Sequence, residues 1–301
     1  MLPGDPLSSA SAPAGRETQS EPFDTPLAEG LPESSDGELG TPRGLDQLLL
    51  VLALGLIVVT LSLSPGGLAE RLNYLGRAVC GQLAEHSFFF GGRQLPLCAR
   101  CTGTYLGALT TYVMLSLMGR GRASRLPPVN ILLILLLFIA FWALDGLNSY
   151  LPLFTQSYLL YEPSNILRLA SGLLQGLAIM VIVRPIFAFT LWAETSDERV
   201  VRHWGELVLL LAVVALVGLA AQSELPWLYY PLALLSGAGV LLVLSLVNTL
   251  ILCVLLRREG RAASWRQAVP LTLLGLALAL VEAQLVNLAR EAIFRLLGIA
   301  A

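Results

Sequence analysis

Residues 129–146 read VNILLILLLFIAFWALDG, and no charged side chain interrupts the apolar run from Ile131 to Leu144. About 17–25 predominantly apolar residues are enough to cross the hydrocarbon core of a bilayer. Lipid offers no hydrogen-bond partner to backbone N–H and C=O groups, so a segment of this kind must satisfy them internally, as a helix does. The stretch therefore predicts a membrane-spanning helix.

Six further stretches of the same kind occur, and together they predict an all-α, polytopic transmembrane helix bundle of about seven spans. The seven stretches lie at 45–63, 102–118, 129–146, 166–189, 204–221, 232–256 and 268–288. The composition agrees, because 55% of the 301 residues are hydrophobic and only 13% are charged, whereas about 25% are charged in ordinary soluble domains. The lipid bilayer is the expected partner. The formal net charge of −2 gives no basic surface for nucleic acid, so nucleic acid is excluded as a partner.

The first 44 residues have a different composition, rich in Pro, Ser, Gly and acidic residues. Such a segment cannot bury enough apolar surface to offset the entropy lost on ordering, so residues 1–44 are predicted to be a disordered tail. The rest of the chain is divided into a membrane core at 45–190, which holds the first four spans and a cysteine motif, and a C-terminal three-span extension at 191–301.

Arginines are concentrated in the connections after the second, fourth and sixth predicted spans, at 120–125, 184–202 and 257–266. The positive-inside rule assigns such connections to the cytoplasmic side. The expected location is therefore the cell membrane, with the N-terminus in the cytoplasm. The connection between the first two spans opposes this assignment, because it carries four arginines on the outer side: Arg71, Arg77, Arg93 and Arg100.

Three of the four cysteines, Cys80, Cys98 and Cys101, lie in or next to that same connection. Pro96 suits the first turn of a helix, so Cys98 and Cys101 are expected one turn apart near the start of the second span. The positive end of the helix dipole favours a thiolate there. Together with His86, the three sulfurs could complete a tetrahedral site for a zinc, copper or iron ion. A structural disulfide and ordinary packing of the cysteines are the alternatives.

A second group of polar residues follows from the topology. Asp145 ends the third predicted span, while Asn165 and Arg168 begin the fourth, and successive crossings bring all three to the membrane face that holds Cys98 and Cys101. A charge near lipid is costly and usually paired, so an ion pair between Asp145 and Arg168 is predicted. The alternative is an Arg168 that snorkels toward water and an Asp145 that acts as a helix cap.

Two pairs of glycines recur at a spacing of four residues, Gly103 with Gly107 and Gly172 with Gly176. Small residues at this spacing allow transmembrane helices to approach closely. The pattern favours packing of the second span against the fourth, although a Gly-rich membrane chain can also produce it by chance.

Around the cysteines, the chain resembles a family of multi-pass membrane proteins without an assigned activity. That family is defined by a Cys-His-Gln start, an Arg-Ser-Phe step and a Pro-Leu-Cys-Ala-Arg-Cys-Thr-Gly block. The matching positions are Cys80, Gln82, Ser87, Phe88, Gln94, 96–103, Tyr105 and Gly107, followed by Asp145, Gly146, Asn165, Arg168, Ser171, Gly172 and Gly176.

The chain departs from the family pattern at two positions. Gly81 stands where the family usually has His, and His86 stands where it usually has Arg. If the family histidine is a ligand, this chain has lost it or has moved its role to His86. The resemblance covers about residues 72–185 and implies an architecture and a site more than an activity.

The function that these features favour is an integral membrane protein with a metal-binding or thiol-redox site at one membrane face. One alternative is a transporter or channel-like protein that uses Asp145 and Arg168. Another is a structural subunit that packs against a membrane-protein partner. No nucleotide-binding P-loop, zinc-protease helix or serine-hydrolase elbow occurs in the sequence, so those activities have no support.

Overall fold

The structure is a computed structural model, and it describes residues 43–64, 66–151 and 161–298. The disordered tail predicted at 1–44 lies outside the described residues as far as residue 42. Eight α-helices occur within the described ranges. They are α1 (Arg43–Leu63), α2 (Leu68–Val79), α3 (Ala99–Leu117), α4 (Val129–Tyr150), α5 (Asn165–Leu191), α6 (Trp204–Gln222), α7 (Tyr229–Leu255) and α8 (Trp265–Leu296).

The prediction of an all-α, multi-pass bundle is confirmed. Six helices of the described chain, α1 and α4 to α8, are long and apolar enough to cross a membrane, and they coincide with six of the seven predicted spans. The remaining predicted span is α3, which has 19 residues but is not among those six. It can be less apolar because α5, α6 and α7 pack around it, so fewer of its side chains face lipid. The division of the membrane region at residue 190 stays a prediction.

Helices α3 and α5 form the most extensive helix pair in the bundle. Their glycines interlock: a Cβ atom at Gly172 would collide with the carbonyl oxygen of Arg100, and one at Gly176 with that of Thr104. Gly103 and Gly107 meet the backbone of α5 in the same way. The predicted packing of the second span against the fourth is therefore confirmed, and it brings the start of α3 beside the start of α5.

Helix α2 connects α1 to the cysteine motif and packs against α7 and α8. Polar side chains of α8 hold it there. Tyr74 donates its hydroxyl to Oε1 of Gln284 at 2.8 Å, and Asn287 donates its amide to the carbonyl oxygen of Tyr74 at 2.8 Å. The polar residues of α8 thus make the helix-to-helix hydrogen bonds expected of such residues in a bundle.

In the part of the chain that the structure describes, four short strands lie at the two ends of the bundle. Strands β1 (Phe89–Phe90) and β2 (Arg93–Gln94) form an antiparallel hairpin before α3. Strands β3 (Ala123–Arg125) and β4 (Ser196–Arg199) pair in parallel, which joins the connection after α3 to the one after α5. The arginine-rich connections therefore meet at one end, which we call the arginine end. The cysteines lie at the opposite end, the sulfur end.

Candidate metal centre

The position of Cys80 depends on a close approach of α2 to the segment before α3. Cys80 follows α2 directly, in extended conformation. Gly76 allows the approach, because a Cβ atom there would collide with the carbonyl oxygen of Pro96. Gln82 then fastens the two segments by donating its side-chain amide to the carbonyl oxygens of Asn73, at 2.9 Å, and Pro96, at 2.7 Å.

This approach brings three sulfur atoms together. The Sγ atoms of Cys80, Cys98 and Cys101 all lie within 4.8 Å of one another, and Cys80 is 7% exposed. Cys98 occupies the N-cap position of α3 without a side-chain capping hydrogen bond, and Cys101 lies in the first turn of that helix. All three are free thiols, as is Cys253, which lies near the far end of α7. The predicted one-turn spacing of Cys98 and Cys101 is therefore joined by a third sulfur from a separate segment.

The surroundings of Cys80 favour its thiolate form. The Cys101 and Cys98 thiols donate to the Cys80 sulfur, and together with backbone N–H groups they lower the pKa of Cys80 below its ordinary value, against the opposing effect of burial. The backbone N–H groups that donate belong to Cys98, at 3.2 Å, and Gln82, at 3.4 Å. Hydrogen bonds to the charged form stabilise it, and the thiolate is the form that binds metal.

His86 does not join the three sulfurs within the described structure. It ends the short 3-10 turn Ala84–His86, and no imidazole nitrogen belongs to the sulfur group. Burial, followed by the charges of Arg168 and Arg100, lowers the pKa of His86. The turn places His86 toward these arginines, whereas the sequence expectation put it beside the sulfurs as a fourth ligand.

The predicted ion pair between Asp145 and Arg168 is wrong, because Asp145 pairs with Arg100. The Nε atom of Arg100 donates to Oδ2 of Asp145 at 2.9 Å, and its Nη2 atom donates to the backbone oxygen of Asp145 at 2.9 Å. Ser171 and Tyr161 also donate their hydroxyls to the Asp145 carboxylate, at 2.9 Å and 2.6 Å. Asp145 is fully buried, and this network satisfies its charge within the protein.

Arg168 has a different role from the one predicted. Its Nη1 atom donates to Oδ1 of Asn165 at 2.9 Å, and Asn165 donates its amide to the backbone oxygens of Glu85, at 3.2 Å, and Ser87, at 3.4 Å. The Arg168 side chain is buried, and its Nε atom has no hydrogen-bond partner among the described residues. Arg168 and Asn165 thus fix the turn that carries His86. Arg168 also lies within electrostatic range of Cys98.

Sequence reasoning did not predict the structural roles of four residues at this end, although three of them match the family pattern: Arg100 as the partner of Asp145, together with Gln82, Tyr161 and Ser171. Arg100 lies between Cys98 and Cys101, and that position alone could have identified it as a residue of the site. The roles of Gln82 and Tyr161 depend on how loops fold back, which no periodic pattern in the sequence records.

Comparison with known proteins places this end of the molecule in a family. A family model described as "Predicted membrane protein (DUF2085)" matches residues 80–182. An uncharacterized protein of Methanothermobacter thermautotrophicus is 34% identical to the chain over 110 residues, which are 36% of this chain and 88% of that protein. The chain belongs to this family. The resemblance to a family of membrane proteins without assigned activity is thereby confirmed.

A second relative, an uncharacterized protein of Methanocaldococcus jannaschii, is 30% identical over 109 residues, which are 36% of this chain and 64% of that protein. No solved structure matches the chain. The DUF2085 match runs from Cys80 into α5, so it contains the three clustered cysteines and the Asp145 network. Helices α1, α2 and α6 to α8 lie outside it.

Proposed function

We propose that this chain is a membrane metal-binding protein in which the thiolates of Cys80, Cys98 and Cys101 hold one ion at the sulfur end. The observation that carries the proposal is the convergence of three sulfurs from two separate segments within 4.8 Å. Sulfur ligands about 2.3 Å from a tetrahedral zinc ion lie about 3.8 Å from one another. Only a small inward movement of the three side chains would therefore close the site around an ion.

Metal binding explains this arrangement better than a disulfide does. A disulfide uses two sulfurs and leaves the third without a role, whereas a metal uses all three. The backbone N–H groups aimed at Cys80 also support a thiolate that persists, as a metal ligand must.

The donor set limits the kind of ion. Thiolates favour soft or borderline ions, so Zn²⁺ and Cu⁺ fit better than Mg²⁺ or Ca²⁺. Three protein ligands leave one position of a tetrahedral site open, as in sites where an ion acts on a ligand or is passed on. A fourth ligand from His86 would require the turn that carries it to move, so our proposal leaves this position to an external ligand.

The neighbouring polar residues would support the site without binding the ion. Asp145 holds Arg100 and thereby orients the first turn of α3, which carries both Cys98 and Cys101. Arg168 adds a positive charge close to the sulfurs, which would offset the net negative charge of three thiolates around a divalent ion. Such surrounding groups commonly change metal affinity by about 10–100-fold.

The experiment is metal analysis of the full chain, purified in a mild detergent under reducing conditions and loaded with Zn²⁺ or Cu⁺ in parallel. We expect roughly one ion per chain, as for a single thiolate site. The variants Cys80→Ser, Cys98→Ser and Cys101→Ser should each bind at least about tenfold more weakly, since each removes a ligand. Cys253→Ser is the matched control and should bind as the wild type does, and His86→Gln should do the same.

Two results would refute the proposal. One is a wild type that binds neither ion while its three thiols are reduced and reactive. The other is a bonded pair among the three cysteines in protein isolated without reductant, detected by mass spectrometry of peptides, which would indicate the thiol-redox alternative.

We also propose that the arginine end faces the cytoplasm and that the sulfur end faces the opposite side of the cell membrane, as the positive-inside rule predicts. With the N-terminus inside and seven crossings, the C-terminus would lie outside. Alkaline phosphatase fused to the C-terminus should then be active, because this enzyme folds only outside the cytoplasm. An inactive fusion, with full activity from a fusion after Arg261, would reverse the assignment.

A further inference from the structure

A polar pocket lies on the other side of Gln82 from the sulfur cluster. Its volume is about 560 Å³, and the residues that line it include Asn73, Arg77, Gln82, Arg93, Gln94 and Tyr229. It lies between α2, the β1–β2 hairpin and the start of α7. We call it the arginine pocket; it lies at the sulfur end of the bundle, opposite the arginine end. Gln82 forms part of its wall and also donates its backbone N–H to Cys80, so the pocket and the sulfur cluster are adjacent but separate.

The charge of the arginine pocket has one sign. Arg77 and Arg93 line it, and no Asp or Glu is among its described lining residues. In the described parts of the chain, the Arg77 guanidinium has no hydrogen bond or ion pair. Arg93 is held in position, since it donates to the Tyr230 hydroxyl at 3.1 Å and its guanidinium carbon lies 6.0 Å from the centre of the Tyr229 ring. The described lining of the pocket therefore offers two cations and no carboxylate to a ligand, and Glu291 lines an adjoining pocket that shares Arg77.

Arg77 and Arg93 are also among the four arginines that the positive-inside rule does not explain. Arginine in the connection between α1 and α3 opposes the orientation set by the other connections. The buried pair with Asp145 accounts for Arg100. Arg77 and Arg93 take part in no ion pair within the described structure, so both charges are available to a ligand with negative charge.

The position of the pocket relative to the membrane surface indicates which kind of ligand carries that negative charge. Helix α2 has one apolar and one polar face, which is typical of a helix that lies in the membrane interface. Trp227 and Tyr230, beside the pocket, are 70% and 44% exposed, and such aromatic residues collect at the level of lipid headgroups. Phosphate groups are the common anions at that level, and arginine binds them through paired N–H donors.

We propose that the arginine pocket binds the phosphate group of a ligand, with Arg77 and Arg93 as the cationic donors. Asn73 adds a side-chain amide that has no other described partner, and it can donate to a phosphate oxygen. A volume of about 560 Å³ exceeds what a phosphate ion fills, which leaves room for the glycerol of a lipid headgroup. This inference is independent of the proposed metal site.

The test measures binding by the purified full chain in a neutral detergent. Its probes are dihexanoyl phosphatidic acid and dihexanoylglycerol, which differ by the phosphate group. The wild type should bind the first at least about tenfold more tightly, because charge-assisted hydrogen bonds are lost with the second. Arg77→Gln and Arg93→Gln should each weaken binding of the phosphatidic acid by at least about tenfold.

Arg71→Gln is the matched control, because it removes the same charge from the same helix at an exposed position that does not line the pocket. It should change the dissociation constant by less than about twofold. Inorganic phosphate is added as a competitor: displacement would identify free phosphate as a sufficient ligand, and its failure would identify a lipid headgroup. Both results retain a phosphate site.

Equal binding of the two probes by the wild type would overturn the proposal. So would a loss in Arg71→Gln as large as that in Arg77→Gln, since attraction by overall charge would then explain the binding. Arg93 also supports Tyr230, so Arg93→Gln could disturb folding. Arg77→Gln then decides the question, because the Arg77 guanidinium makes no hydrogen bond or ion pair within the described residues.

Discussion

The two ends of the bundle use the same kinds of charged side chain in different surroundings. At the sulfur end, Asp145 is fully buried and accepts hydrogen bonds from three other side chains. At the arginine end, Arg125 pairs with Asp197, and their side chains are 60% and 76% exposed. The Asp145 pair therefore depends on one fixed arrangement of charges, whereas the exposed Arg125–Asp197 pair can be replaced by water. The arginine end also has more buried pairs, Arg120 with Glu206 and Arg258 with Asp46, so the contrast is between these two carboxylates.

The difference follows from the cost of removing charge from water. A buried ion whose partner is lost keeps its desolvation cost without compensation, whereas an exposed one is hydrated and screened by salt. The sulfur end has this costly construction directly beneath the cysteines, where α3, α4 and α5 meet. A site that must hold three sulfurs in one geometry needs such rigid support.

The largest effect should come from Asp145→Ala. This change leaves Arg100 buried without its carboxylate, so the free energy of unfolding should fall by about 3–5 kcal/mol. Chemical denaturation in mixed micelles measures it. If the partner charge is the cause, the double variant Arg100→Met with Asp145→Leu should recover much of the loss, because replacing a buried pair by apolar side chains is often neutral. A loss below about 1 kcal/mol for Asp145→Ala would remove the contrast between the two ends.

The second effect concerns the contact that brings α3 to α5. Gly176→Ala would place a methyl group against the carbonyl oxygen of Thr104, and overpacking of this kind costs about 1–3 kcal/mol. Gly146→Ala, near the end of α4, is the control, because a Cβ atom there meets no atom within 4 Å. It should be neutral or stabilising by up to about 1 kcal/mol. The same denaturation experiment measures both, and equal effects would show that the glycine contact does not fix the helix pair.

Much of the fold could be predicted from the sequence, because hydropathy and length determine a membrane helix almost by themselves. The sequence also predicted that Cys98, Asp145 and Arg168 lie at the same face of the membrane, because the number of crossings between them determines the face. The ion-pair partner of Asp145 did not follow. Topology brings both Arg100 and Arg168 to this face, and the choice between them depends on the rotation of α3 about its axis.

The third sulfur shows the same limit. Cys98 and Cys101 share a helix, so their spacing fixes their relation. Cys80 reaches them only because Gly76 lets α2 approach the backbone of Pro96 and because Gln82 forms hydrogen bonds that join the two segments. Contacts of this kind arise between irregular segments, and neither helical periodicity nor hydropathy encodes them.

The smallest effect should come from Asp197→Asn at the arginine end. The exposed pair with Arg125 should contribute less than about 1 kcal/mol to the free energy of unfolding, and less at high salt. Strand β3 does not depend on the pair, because the backbone N–H of Val200 donates to the carbonyl oxygen of Arg125 at 2.9 Å. Denaturation of this variant beside Asp145→Ala, at low and high salt, compares the two ends directly. If both variants lost similar amounts of unfolding free energy, solvent exposure would not explain the difference between Asp145 and Asp197. The rigidity of the sulfur end would then need another cause.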